Sequence, residues 1–131
     1  MAKKQKAAPR EHWKDEPEEH DFPAAADYLG LLFRPSESAA IVEELRRAPA
    51  TRRKAKDLLR ASGLELLAKD DPEVAKDLAK VAGGERLSPV LLVRGSNGAK
   101  PLIVADGYHR ICASYHLDED ADIPCRLVDA R

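Results

Sequence analysis

Little in this chain points to an extracellular or membrane setting. Two cysteines, Cys112 and Cys125, stand among 131 residues. That is too few for the disulfide framework of a small secreted domain. They show no CxxC spacing and no neighbouring Cys or His pattern of the zinc type. No apolar run approaches the roughly 20 residues that a membrane-spanning helix needs. The N-terminus lacks the apolar core of a secretory signal. A cytoplasmic address with no membrane partner is the expectation. An excess of one charge is missing as well: Lys and Arg number 22 against 23 Asp and Glu, a net charge of -1. Such a balance gives no support to nucleic-acid binding. No internal repeat is visible.

What is present is an apolar fraction of 44%, enough for one compact domain and a tail. The tail is predicted over residues 1–20. Lys3, Lys4, Lys6 and Arg10 make a basic block, and Glu11, Asp15, Glu16, Glu18, Glu19 and Asp21 an acidic one. Apolar residues are scarce there, so a disordered, solvated segment is expected. His12 and Trp13 are its only candidates for docking on the domain. A helical hairpin is predicted over residues 21–50. Asp21 caps the first helix, and Tyr28, Leu29, Leu32 and Phe33 share a face. Ser36 caps the second, with Ile41, Val42 and Leu45 inward. Pro35 and Pro49 end the two runs.

Residues 51–131 read as an α/β domain. A helix is expected from Arg52 to Ala61, stopped by Gly63. Leu64 to Leu67 leans towards strand. Asp71-Pro72 is a cap followed by a first-position proline, and Val74, Leu78 and Val81 make an apolar stripe. Pro89 to Val93 and Leu102 to Ala105 form a hairpin around Gly95-Ser96-Asn97-Gly98. A helix from Gly107 to Leu117 buries Tyr108, Ile111, Cys112 and Tyr115, with His109, Ala113 and His116 along its flank. Ile123 to Val128 is a last strand, in which Pro124 marks an edge or the start of pairing. Cys112 and Cys125 read as small buried hydrophobes.

Chemistry concentrates in Asp106-Gly107-Tyr108-His109-Arg110. A strand that ends at a glycine and opens a helix aims several backbone N–H groups at one spot, where the helix dipole is positive. Phosphate is the usual anion for such a place. Arg110 points away from the core on the helix wheel, and its planar fork suits phosphate oxygens; the alternative is a pair with Asp106. His109 is an acid/base or phosphate donor, or a flank histidine bonded to a carbonyl. Asp106 has two readings, a ligand for Mg²⁺ or a ribose hydroxyl, or a cap of the helix. Gly107 either lets backbone approach a phosphate or serves the turn. Tyr108 reads as core, and Ser88 as a loop contact to ligand. Glu65, Asp70 and Asp71 are candidate bases. Arg52, Arg53, Lys54 and Lys56 read as a solvated face.

From about Lys54 to Val128 the order of these segments resembles the ParB/sulfiredoxin superfamily. The residues that carry it are Leu87 to Val93, Ala105-Asp106-Gly107-Tyr108-His109-Arg110, and Ile123-Pro124-Cys125-Arg126-Leu127-Val128. The resemblance implies a small α/β domain with nucleotide phosphates over the glycine turn. Tyr108 stands where sulfiredoxins carry their cysteine, which counts against that reaction. Partition proteins need a helix-turn-helix domain after this one, and no room for it is seen before Arg131. Free-serine kinases carry an Asp-Gly-x-x-Arg turn similar to Asp106–Arg110. The resulting expectation is a nucleotide-binding protein that uses ATP or CTP with Mg²⁺, with phosphoryl transfer or hydrolysis on a small-molecule or protein substrate. His109 and Asp106 would be catalytic; Gly107, Tyr108, His109, Arg110 and Ser88 would hold phosphate. A nucleotide-responsive module without chemistry is the alternative, and a DNA-partition role rests on fold analogy alone.

Overall fold

Alternation along Val90-Leu91-Leu92-Val93 decides the architecture. All four side chains are fully buried. Val90 and Leu92 enter one apolar cluster, Leu91 and Val93 another. A strand buried on both faces needs a helical layer on each. The computed structural model describes residues 12–95 and 101–130 and supplies both layers. Among the described residues, five helices and a mixed four-stranded sheet make an α/β fold. In chain order they are α1 (Asp21–Leu29), α2 (Pro35–Arg47), β1 (Thr51–Lys54), α3 (Ala55–Ser62), α4 (Pro72–Ala82), β2 (Val90–Arg94), β3 (Ile103–Asp106), α5 (Tyr108–Leu117) and β4 (Asp122–Asp129). The sheet order is β1-β4-β2-β3. β4 runs antiparallel to β1 and parallel to β2, and β3 closes a hairpin on β2.

Helices α1 and α2 cover one face with Phe22, Ala25, Leu29, Ile41, Val42 and Leu45. Helices α3, α4 and α5 cover the other with Ala55, Leu58, Leu59, Val74, Ile111, Cys112 and Ala113. The helix and hairpin expectations thus hold in type. Gly63 ends α3 in the left-handed region at φ 72. Asp71 caps α4 by accepting from the N–H groups of Glu73 and Val74 at 3.1 and 3.2 Å. Both cysteines are free and buried. The turn Ser96-Asn97-Gly98 lies outside the described residues, as do residues 1–11 of the tail.

Several expectations fail for physical reasons. Residues 12–20 are not a loose tail. Trp13 is 3% exposed and packs in the larger core cluster. Leu87 clamps that segment, donating to the carbonyl of His12 and accepting from the N–H of Lys14. Asp21 lies inside α1 instead of capping it, and its carboxylate accepts from the N–H of Glu18. Because α1 stops at Leu29, Tyr28 and Leu32 are exposed, and Phe22 and Ala25 take the inward face with Leu29. Arg34, not Ser36, is the N-cap of α2, where Glu37 reaches back to its N–H. Arg52 to Lys54 form strand β1 and not helix, because the edge of β4 accepts them in register from Thr51↔Cys125 to Lys54↔Asp122. Their exposed charges protect that edge. Of the two readings of Pro124 the edge fails, because β4 lies between β1 and β2, and the start of pairing holds, because pairing to β2 begins one residue later at Cys125.

Leu64 to Leu67 is not a strand. Its carbonyls are taken by a stripe of α5 side chains spaced by four. Tyr108 Oη donates to the Glu65 carbonyl at 2.6 Å, Cys112 Sγ lies 4.0 Å from the same oxygen, and His116 Nε2 is 2.7 Å from the Leu67 carbonyl. Ala113, expected on the flank, is fully buried.

Candidate functional site

The turn between β3 and α5 is built by packing before it is built for a ligand. Gly107 has φ +115, and a Cβ there would fall 2.4 Å from Val90 Cγ1. Only glycine combines that conformation with that approach. Gly107 is also the N-cap of α5, so no side chain caps the helix. The N–H groups of Tyr108, His109 and Arg110 have no acceptor among the described residues. They open onto a cavity of about 250 Å³ between α4, α5 and the segments before α1 and β2.

Arg110 does not point freely into that space. Its Nε donates to the Ser88 carbonyl at 2.9 Å, and Nη2 donates to the Pro89 carbonyl at 3.1 Å and to Asp106 Oδ2 at 2.9 Å. The pair is mostly buried, with side chains 17% and 16% exposed. Arg110 is therefore first a brace that ties the start of β2 to the turn. The expectation that it points away from the core is corrected, and the alternative reading, a pair with Asp106, holds. What remains for a ligand is Nη1. Asp106 is not a helix cap either, since its carboxylate faces Arg110. Burial pushes the Asp106 carboxyl above its ordinary value, Arg110 opposes this, and neighbouring Asp21 adds to the rise.

Ser88 is 6% exposed and lines the cavity, though its carbonyl belongs to Arg110. Tyr108 also lines it, as a strut to Glu65. His109 faces it with no hydrogen bond among the described residues, its ring 5.4 Å from that of Tyr108. Asp71 is occupied as a cap, and neither Glu65 nor Asp70 lines the cavity. Lys54 and Lys56 pair with Asp122 and Asp120, away from it.

The cavity also collects residues that the motif reading missed: Lys76, Lys80, Arg86 and Asp77. Most of its charges cancel in pairs. Lys76 meets Glu73 at 3.5 Å, Arg110 meets Asp106, and Glu18 meets Lys14 and, at 3.3 Å, His20. Lys80, Arg86 and His109 are left without an ion pair among the described residues, against the single carboxylate of Asp77. Asp77 had a sequence signal. Val74, Asp77, Leu78 and Val81 follow the i, i+3, i+4, i+7 spacing of one helix face, so Asp77 is a charged residue in an apolar stripe. It is 8% exposed, and burial raises its pKa, with Arg110, Lys80 and His109 opposing. Among the described residues no three His, Cys, Asp or Glu side chains converge on a metal position. A protein-held Mg²⁺ on Asp106 does not fit, because Arg110 occupies its carboxylate and no third ligand joins it and Asp21 among the described residues.

No family model, curated protein or solved structure matches this chain. The site is therefore read from its own residues.

Proposed function

We propose that the protein binds a nucleotide through its phosphates, in the cavity at the N-terminus of α5. The carrying observation is the convergence of three uncapped N–H groups with the unpaired cations Lys80 and Arg86 and with the His109 ring. Each is a favourable partner for phosphate oxygens, and only the carboxylate of Asp77 is set against them among the described residues. The resemblance to the ParB/sulfiredoxin superfamily supports the same reading, because it implies phosphates over this turn. Gly107 supplies the turn, the main chain of Tyr108, His109 and Arg110 supplies donors, and Nη1 of Arg110 and the His109 ring complete the cradle. The chain's own residues bind and orient; no step is assigned to a metal.

Thermal unfolding with ATP, CTP and inorganic triphosphate tests this. At one hundred times its dissociation constant a ligand should stabilise the fold by about 2.7 kcal/mol. Lys80→Ala with Arg86→Ala should remove most of that shift without lowering the melting temperature of the free protein, since both side chains are exposed and unpaired. Rising salt should weaken binding. No shift with any of the three probes at millimolar concentration refutes the proposal.

A further inference from the structure

Among the described residues, Asp77 is the one acid of the cavity with neither a hydrogen bond nor an ion pair. Asp106, Glu73 and Glu18 have cationic partners within ion-pair distance. Asp77 is 8% exposed, lines the cavity, and has neither hydrogen bond nor ion pair among the described residues. Its oxygens still face the cavity, so the donor that the described residues do not supply comes from water or from a ligand seated there. An ionised phosphate cannot be that donor, because both groups only accept. A hydroxyl can.

The lining also says what is not gripped. Its apolar carbon comes from Leu87, which is 3% exposed, and from Tyr108, whose hydroxyl is tied to Glu65. Among the described residues that line it, no two apolar side chains face each other as walls for a nucleobase. The volume of about 250 Å³ also falls below the range usual for whole drug-sized ligands, roughly 300–1,000 Å³.

We infer that the ligand is a phosphate ester with a free hydroxyl, whose hydroxyl donates to Asp77 while its phosphates meet Lys80, Arg86 and the α5 N-terminus. Any base is left outside the cavity and is not read. This rests on the phosphate-binding reading above and adds the second half of the ligand. Asp77 is then a specificity-determining residue: it repels phosphate alone and rewards phosphate joined to a hydroxyl.

Calorimetric titration of the whole protein decides this with defined probes. ATP, GTP, CTP and UTP should bind within about threefold of one another, and 2′,3′-dideoxyATP should bind about tenfold more weakly than ATP, the scale of one hydrogen bond to a charged group. In Asp77→Ala, ATP and dideoxyATP should bind alike, and inorganic triphosphate should bind more tightly than to the wild type. Asp77→Asn keeps the volume and should also tighten triphosphate. The wild-type ATP against dideoxyATP comparison stands even if both variants fold poorly. Ribose 5-phosphate separates the sources. Binding of it near ATP affinity assigns the site to sugar phosphates, and its failure beside ATP binding assigns the site to nucleotides. Equal wild-type affinities for ATP and dideoxyATP, or weaker triphosphate binding in Asp77→Ala, would each overturn the hydroxyl assignment, and a tenfold preference for one base would overturn the unread base; all leave phosphate binding intact. If no phosphate probe binds, both readings fall.

Discussion

Arg110→Ala is the sharpest test of the turn as a brace. The substitution removes donors to the Ser88 and Pro89 carbonyls and the partner of Asp106 in one step. Breaking a buried ion pair by removing one partner costs about 3–5 kcal/mol. With both side chains about one-sixth exposed, water restores part of this, and a loss of about 2–4 kcal/mol is expected. The loss should depend on pH. Asp106 already has a raised pKa, led by burial and held back by Arg110. Without Arg110 it rises further. The folded state then binds a proton that the unfolded state releases above about pH 4, so stability falls as pH rises through the folded value. Urea unfolding should therefore show a deeper loss at pH 8 than at pH 5. In an Asp106→Asn background the cost of Arg110→Ala should shrink, because no buried charge is orphaned. A loss below about 1 kcal/mol at pH 7, the scale of a surface pair, would refute the brace.

Three further outcomes follow from packing. Gly107→Ala should destabilise by about 2–5 kcal/mol, adding backbone strain to overpacking against Val90, as read from denaturant midpoints; a neutral result would contradict the 2.4 Å approach. Trp13→Ala should cost about 3–5 kcal/mol, measured the same way, where a solvated tail would give nothing. Burial pushes the Cys125 thiol up to about 11, so at pH 8 it should react with a thiol reagent only after denaturant is added; prompt labelling of the folded protein would place Cys125 outside the core.

Local signals were legible wherever the cause was local. The Asp71-Pro72 cap, the left-handed Gly63 and the apolar stripes set α4, α3 and α2 without help from the rest of the chain. The hairpin of β2 and β3 was visible because both arms are apolar and a turn separates them. What escaped was set by distant partners. Thr51–Lys54 became strand because β4 offered an edge. Leu64–Leu67 stayed irregular because α5 side chains took its carbonyls. Trp13 was a docking candidate in the sequence, but its partner Leu87 was not. The turn at Asp106–Arg110 was found, but the fate of Arg110 depended on carbonyls at Ser88 and Pro89 that no helix wheel displays. Lys80, Arg86 and Asp77 lie on other segments and join the cavity only through packing, although Asp77 betrayed itself as a charge among Val74, Leu78 and Val81.

The place of β4 has a kinetic consequence. It comes last among the elements and yet is the strand on which β1 and β2 both depend. During synthesis the hairpin of β2 and β3 and the helices can assemble locally, but β1 waits with an open edge until residues 122–129 leave the ribosome. Pairings between segments so far apart in sequence are slow to close. The unpaired edges they leave meanwhile invite aggregation. Removing β4 should therefore abolish the cooperative transition outright, whereas loss of an outer strand would only fray the sheet.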